Sequence, residues 1–149
     1  MAAIDILVAT TSGNTEYLAD QLASQLQQAG HSTNMHYEPD YSDLIETLRD
    51  DSVWLCCVAS HGAGDYADSM LDFAEELHQH KPSLNGLKYG VIAVGDSCYD
   101  TYCAAGRDCD AMLAILGAKR LITHLEIDMS QDDPDEKSST WLEAVINSL

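Results

Sequence analysis

Four hydroxyls, an amide and a glycine fall within six consecutive residues near the start of the chain, Thr10-Thr11-Ser12-Gly13-Asn14-Thr15. They lie between a short apolar run and a helical period. Their backbone N–H groups would therefore gather at a helix N-terminus, where a phosphate is favoured. Gly13 allows the backbone to approach closely or to take a positive φ. The stretch matches neither the G-x-G-x-x-G dinucleotide fingerprint nor the G-x-x-x-x-G-K-[ST] nucleoside-triphosphate loop. The first Lys or Arg of the chain is Arg49, so a phosphate here would be held by neutral donors and the helix dipole alone. That suits a permanently bound monophosphate better than a transferable γ-phosphate, which needs Lys and Mg²⁺. Plain helix capping is the alternative, but it takes one hydroxyl rather than four.

Two further loops carry unusual residues. In Ser60-His61-Gly62-Ala63-Gly64-Asp65, two glycines permit a tight approach to a ligand, and Asp65 or Asp68 can cap the helix that follows. His61 is open to several roles: a base, a metal ligand, a ring over a flat cofactor, or a loop histidine with no function. The third loop runs Gly95-Asp96-Ser97-Cys98-Tyr99-Asp100-Thr101-Tyr102-Cys103-Ala104-Ala105-Gly106. Its aromatics stand among small polar residues directly after a strand, a placement that suits a ring stacked on a planar ligand. Tyr102 packing inward, with Tyr99 merely covering the loop, is the competing reading.

The five cysteines are Cys56, Cys57, Cys98, Cys103 and Cys109. An odd count with no C-x-x-C pair points to reduced thiols in a cytoplasm. A zinc site from Cys98, Cys103 and Cys109 would lack the paired spacing that structural zinc favours. The expectation is no metal, with Cys56 and Cys57 as core strand residues and Cys109 turned to the core from a helix.

The elements that must position these loops alternate along the chain. Apolar runs predict strands at Ile4–Ala9, Thr33–Tyr37, Val53–Ala59, Tyr89–Val94 and Leu121–Ile127, the last without a long insertion. The continuous VWLCCVA run reads as a central parallel strand covered on both faces. Leu18, Leu22 and Leu26 recur at helical spacing up to a stop at Gly30. Further helices are predicted over Asp43–Leu48, Asp68–His80 and Asp108–Leu116. A closing helix carries Trp141, Leu142, Val145, Ile146 and Leu149, after a solvated stretch from Asp128 to Lys137. Five strands alternating with helices imply a single α/β domain over 1–149, an open parallel sheet with helices on both faces. In such sheets a ligand sits beyond the carboxyl ends of the strands where strand order reverses. The three loops follow strands one, three and four.

Charge narrows the function. There are 25 Asp and Glu against 7 Lys and Arg, a net charge of -18. That opposes binding to nucleic acid or to an anionic membrane and draws in a basic protein from a distance. No run of 18 apolar residues occurs to span a membrane. The first ten residues lack a basic region, so a signal peptide is not expected.

Together these loops give the chain a specific likeness. Thr10-x-Ser12-Gly13-Asn14-Thr15 resembles the phosphate loop of the flavodoxins, usually T/S-x-T/S-G-x-T. Gly95-Asp96-Ser97-x-Tyr99 with Tyr102-Cys103 resembles their second flavin loop. The fifth strand, read as uninterrupted, matches the short-chain branch. His61-Gly62-Ala63-Gly64-Asp65 and Gly117-Ala118-Lys119 look most like its bacterial MioC-type members. The resemblance spans the whole chain and implies a five-stranded parallel sheet of order 2-1-3-4-5 carrying FMN.

Carried over position by position, it gives Thr10, Thr11, Ser12, Gly13, Asn14 and Thr15 to the FMN phosphate. Ser60, His61 and Gly62, with Ala63 and Gly64, would border the pyrimidine and N5 edge of the flavin. Gly95 and Asp96 would lie against the other edge, Tyr99 would stack on the outer face beside Tyr102, and the Cys103 N–H would meet the pyrimidine carbonyl. Two departures stand out. His61 replaces a large aromatic found in many members, which weakens stacking on the inner face. Ala67 replaces a proline, which leaves its loop freer.

The likeness also implies a monomeric carrier of single electrons. Its partners would be basic redox proteins, such as a flavodoxin/ferredoxin reductase and an electron acceptor. Two other classes stay open at this level: a flavodoxin-like NAD(P)H:quinone oxidoreductase, for which no nicotinamide motif is visible, and an interaction module of the same fold without flavin. A response regulator is disfavoured, because Ala59-Ser60-His61 stands where its phosphoacceptor Asp would be.

Overall fold

The computed structural model describes residues 3–9, 13–49, 51–61, 65–66, 68–95, 103–128 and 132–149. The strands are β1 (Ala3–Ala9), β2 (Ser32–His36), β3 (Val53–His61), β4 (Asp65–Tyr66), β5 (Lys88–Gly95), β6 (Lys119–Arg120) and β7 (Leu125–Asp128). The helices are α1 (Gly13–Gln28), α2 (Tyr41–Glu46), α3 (Asp68–His80), α4 (Ala104–Ile115) and α5 (Pro134–Ser148). The sheet order is β2-β1-β3-β5-β6, with β7 also paired to β5 and β4 to β3. All pairings are parallel except the two-residue β4, which folds back antiparallel on the end of β3. Counting β6 and β7 as one edge position, this is the expected 2-1-3-4-5 order.

Side-chain alternation along the inner strands builds two cores. Ile4, Ile6 and Val8 of β1 with Val53, Leu55 and Cys57 of β3 face α1 and α5, meeting Leu18, Leu22, Leu26, Trp141 and Val145. Leu7 and Ala9 with Trp54, Cys56 and Val58 face α2, α3 and α4, meeting Leu44, Phe73, Leu77, Cys109 and Leu113. Because both faces are covered, the central strands are apolar throughout rather than alternating. Cys56, Cys57 and Cys109 are buried core residues, as expected, and Cys103 joins them. Cys98 lies outside the described residues.

Several boundaries differ from the sequence expectation. The fifth strand is not continuous over Leu121–Ile127: it is split into β6 and β7. Register explains the break. Tyr89 pairs with Arg120 and Ile92 with Leu125, so residues 121–124 must fit opposite Gly90 and Val91 alone. The ladder breaks over the surplus residues, Leu121 and Ile122 pack against the core, and the indole Nε1 of Trp141 donates to the Thr123 carbonyl at 3.1 Å. α2 begins at Tyr41 rather than Asp43, because Asp40 caps it by accepting from the Asp43 N–H at 3.2 Å. α4 begins at Ala104, four residues before the expected Asp108. β3 runs on through Ser60 and His61, which pair with Tyr66 and Asp65 of β4; these two were expected in a loop.

α5 opens with Pro134 in its first turn behind the cap Asp133, which accepts from the N–H groups of Asp135 and Glu136. The Asp-rich approach to this helix is thus partly a cap, in line with a solvated helix start. Gly30, at a φ of +92°, ends α1 in the left-handed conformation that terminates helices.

Candidate cofactor site

The carboxyl ends of β1, β3 and β5 are neighbours in the sheet, and the three sequence-selected loops leave from them. β1 ends at Ala9, and α1 begins at Gly13. Gly13, Asn14 and Thr15 therefore form the first turn of α1, where a helix leaves its N–H groups without internal partners. Thr15 is 2% exposed, which places its hydroxyl-bearing side chain at the sheet end rather than in bulk water. Thr10, Thr11 and Ser12 lie outside the described residues. A helix N-terminus with a hydroxyl beside it and no Lys or Arg from residue 1 to 48 is a donor set that fits a phosphate monoester.

The second loop leaves β3. Its backbone at Ser60 and His61 is strand, held by the antiparallel pairing with Asp65 and Tyr66. The two-residue β4 thus lies antiparallel against the end of β3; Gly62, Ala63, Gly64 and Ala67 lie outside the described residues.

The third loop leaves β5 at Gly95, which pairs with Asp128 of β7, and re-enters described chain at Cys103. Asp96, Tyr99 and Tyr102 lie outside the described residues. Cys103 is the N-cap of α4 in a left-handed conformation, φ 55° and ψ 20°. A side chain costs roughly 1 kcal/mol in that region. Here the cost is offset by burial and by the thiol, whose Sγ donates to the Ala93 carbonyl at 3.4 Å. This left-handed residue stands where the resemblance implies a backbone donor. Behind it, Gly106 packs against Ala93 with no room for a side chain.

A set of charged residues behind the third loop was missed from sequence. Asp110 of α4, buried, accepts from Tyr89 Oη at 2.9 Å and from Arg120 Nε at 2.9 Å. Arg107, one turn earlier, holds Glu126 of β7 through Nε at 2.8 Å and Nη2 at 2.9 Å. His124 lies between the two carboxylates. The Arg107 guanidinium lowers Glu126 to about 2, against the opposing effect of burial and with help from His124. Burial, then the bond to Asp110, pushes the Tyr89 phenol up. The signal was present only in pieces: opposite charges three apart on a helix, Arg107 and Asp110, and a His124-x-Glu126 pair at the start of β7. Among the described residues, no group of three or more His, Cys, Asp or Glu is placed to hold a metal ion, and no helix is long and apolar enough to cross a membrane.

Comparison with known proteins agrees with this geometry. The flavodoxin family model matches residues 6–141. Protein MioC of Escherichia coli O157:H7 is 36% identical over 150 aligned residues, covering 100% of this chain and 99% of its own. The NADPH sulfite reductase flavoprotein alpha-component of Bacillus subtilis is 32% identical over 98% of this chain, but over only 24% of its own length. A flavodoxin variant from Pseudomonas aeruginosa superposes with a TM-score of 0.89 at 22% identity, covering 99% of this chain and 98% of its own. The chain thus belongs to the flavodoxin family, resembling its short MioC-type members, and is an FMN-binding electron carrier rather than an enzyme.

Proposed function

We propose that this protein passes single electrons from a basic, NAD(P)H-linked reductase to a redox-protein acceptor, working as a monomer in the cytoplasm. The observation that carries the reading is the meeting of three features at one end of the sheet: the first turn of α1, the hairpin at the end of β3, and the left-handed entry into α4. FMN supplies reversible one-electron chemistry when bound; the chain supplies grip, orientation and charge.

In this reading Thr10 to Thr15 hold the phosphate through hydroxyls and the N–H groups of the α1 start. Ser60, His61, Gly62, Ala63 and Gly64 border one edge of the ring system. Gly95, Asp96, Tyr99, Tyr102 and Cys103 border the other edge and its outer face. The left-handed Cys103 supports the last assignment, because it brings the chain into α4 beside the Ala93 carbonyl of β5. A net charge of -18 supports a basic partner drawn in by long-range attraction. The sulfite reductase flavoprotein supports a reductase on the donor side, since a unit like this one makes up 24% of a chain named for NADPH. The four described cysteines are buried thiols, which accords with a reducing compartment.

Purification and a titration test the reading. The protein is expected to purify yellow, to release FMN and not FAD on denaturation, and to quench the fluorescence of added FMN after the cofactor is stripped. A colourless protein that leaves FMN fluorescence unchanged would reject it.

A further inference from the structure

The segment from Tyr37 to Asp40 leaves the carboxyl end of β2, next to that of β1, and leads into α2 at Tyr41. Pro39 is buried, while Tyr37, Glu38 and Asp40 are exposed, so the segment stands as a ridge pinned near its centre. On the α1 side, the Tyr37 hydroxyl donates to Asp20 at 2.6 Å. Tyr17 lies one helical turn before Asp20 on the same face of α1. Tyr17 is 55% exposed and Tyr37 40%, two of the three large apolar or aromatic side chains that stand exposed among the described residues. On the α3 side, a cleft of about 650 Å³ opens between the ridge and the helix, lined by Glu38, Asp40, Tyr41, Asp72, Phe73 and Glu76. The Tyr41 ring is fixed against α3 by Phe73 and His80, at centroid distances of 6.5 Å and 5.3 Å.

Solvated carboxylates alone are ordinary on a chain of this charge, but these surround aromatic surface and nothing nearby in the chain neutralises them. Arg49 is the only Lys or Arg in the first 80 residues. Asp40 is spent on the cap of α2 and Asp20 on the Tyr37 hydroxyl. Glu38, Asp72 and Glu76 have neither a hydrogen bond nor an ion pair among the described residues. Aromatic rings are enriched where proteins meet, and a charged rim selects a partner of opposite sign. A Lys or Arg side chain matches every part of the cleft. Its charge meets the carboxylates, its aliphatic stem covers apolar surface, and its head adds a cation–π contact with Tyr41.

We infer that the Tyr37–Asp40 ridge and the cleft beside it form the docking face for the basic redox partner. One Lys or Arg side chain of that partner sits in the cleft, and Tyr17 and Tyr37 pack against the surface around it. The inference rests on the electron-carrier reading for the kind of partner, though not for the face itself. The location suits that role: β1 and β2 end side by side and α1 starts just beyond β1, so a protein seated here stands at the cofactor end of the sheet.

The test titrates ferrous cytochrome c, a strongly basic and diamagnetic haem protein, into the full ¹⁵N-labelled chain at about 10 mM salt, once with FMN loaded and once with it stripped. Saturable shifts are expected at the amides of residues 17, 20, 37–38, 40–41, 72 and 76 in both forms. Glu38→Gln with Glu76→Gln should weaken binding on the order of threefold to tenfold. Glu136→Gln with Glu143→Gln, which removes the same charge from α5 on the other side of the sheet, should weaken it less. Tyr41→Leu should cost about threefold while Tyr41→Phe binds as wild type does. Equal losses from the two double variants, an undiminished Tyr41→Leu, shifts centred elsewhere or no binding in either form would each overturn the docking face. Should a variant fail to fold, the wild-type shift map decides. A chain that takes up no FMN yet binds cytochrome c at the ridge overturns the electron-carrier reading and leaves the face standing.

Discussion

Gly106 lies so close to Ala93 that a Cβ added to it would sit 2.2 Å from the Ala93 Cβ and 2.8 Å from the Ala93 Cα. The first turn of α4 therefore rests directly on Ala93 of β5, on its methyl group and the backbone beneath it. The Cys103 thiol bonds the same residue's carbonyl. A helix seated this way has its height over the sheet set by main chain, which fixes where the preceding turn emerges.

Gly106→Ala is accordingly expected to destabilise the fold by about 1–3 kcal/mol through overpacking. That outweighs the roughly 1 kcal/mol that alanine gains over glycine inside a helix. Urea unfolding measures the sum. A variant as stable as wild type or more so would mean that α4 can lift off β5 freely.

The Arg107–Glu126 pair predicts a loss of stability in acid. Glu126 is held at about 2 in the folded chain, against an ordinary value of 4.5. Because the folded value is the lower one, its stabilisation is fully present above about pH 5.5 and fades as pH falls from 4.5 toward 2. The pair is partly exposed, Arg107 by 53% and Glu126 by 27%, so solvent screening reduces the contribution to about 1 kcal/mol. Glu126→Gln should lie below wild type by that amount at neutral pH and converge with it near pH 2. A constant gap across the whole range would contradict the assignment.

Buried thiols predict the opposite limb. Burial holds Cys57 up to about 12, and a bond with Cys109, followed by burial, raises Cys56. Raised folded values mean stability that is present below the ordinary thiol range near 9 and lost as pH climbs toward 12. At about pH 8, iodoacetamide should leave Cys56, Cys57, Cys103 and Cys109 unmodified in the folded protein and alkylate all of them in urea. Peptide mass mapping reads this directly; rapid labelling of Cys57 in the native state would contradict its burial.

A fourth prediction concerns redox tuning. In the proposed site Asp96 borders the flavin, and the three loops contain no Lys or Arg. Each nearby negative charge opposes further reduction by something on the order of 1 kcal/mol, lessened by solvent and salt. The potential for the second electron should therefore lie below that of free FMN, and potentiometry giving an equal or higher value would reject this account.

How far the sequence could be read depended on what each element is made of. The inner strands were legible because both faces are covered, leaving apolar runs such as Val53 to Val58 with no competing pattern. α3 matched from Asp68 to His80 because Phe73, Ala74 and Leu77 keep a helical period. The start of α4 escaped because Ala104, Ala105 and Gly106 are selected for closeness rather than volume and show no period. The split edge strand escaped because Leu121 and Ile122 are apolar enough to continue a strand, and a surplus of residues against Gly90 and Val91 is visible only in register. β4 is two residues long, too short to register as a pattern, so Ser60 and His61 were read as loop. The loops of the candidate site were picked out by composition alone, and Thr10–Ser12, Gly62–Gly64 and Asp96–Tyr102 lie outside the described residues. The charged set joins residues 107, 110, 120, 124 and 126 from α4, β6, β7 and the link before β7, and no local window contains it whole.

The division of the fifth strand into pieces of two and four residues has a further effect on behaviour at high concentration. A sheet margin invites a neighbouring molecule to extend it, and the invitation grows with the length of unbroken ladder on offer. One margin here is interrupted by residues 121–124. The other, β2, is five residues long and carries exposed Ser32 and Asn34. A chain that is 46% hydrophobic thus presents no long template on either flank, and the mutual repulsion of its many carboxylates discourages stacking of the copies further.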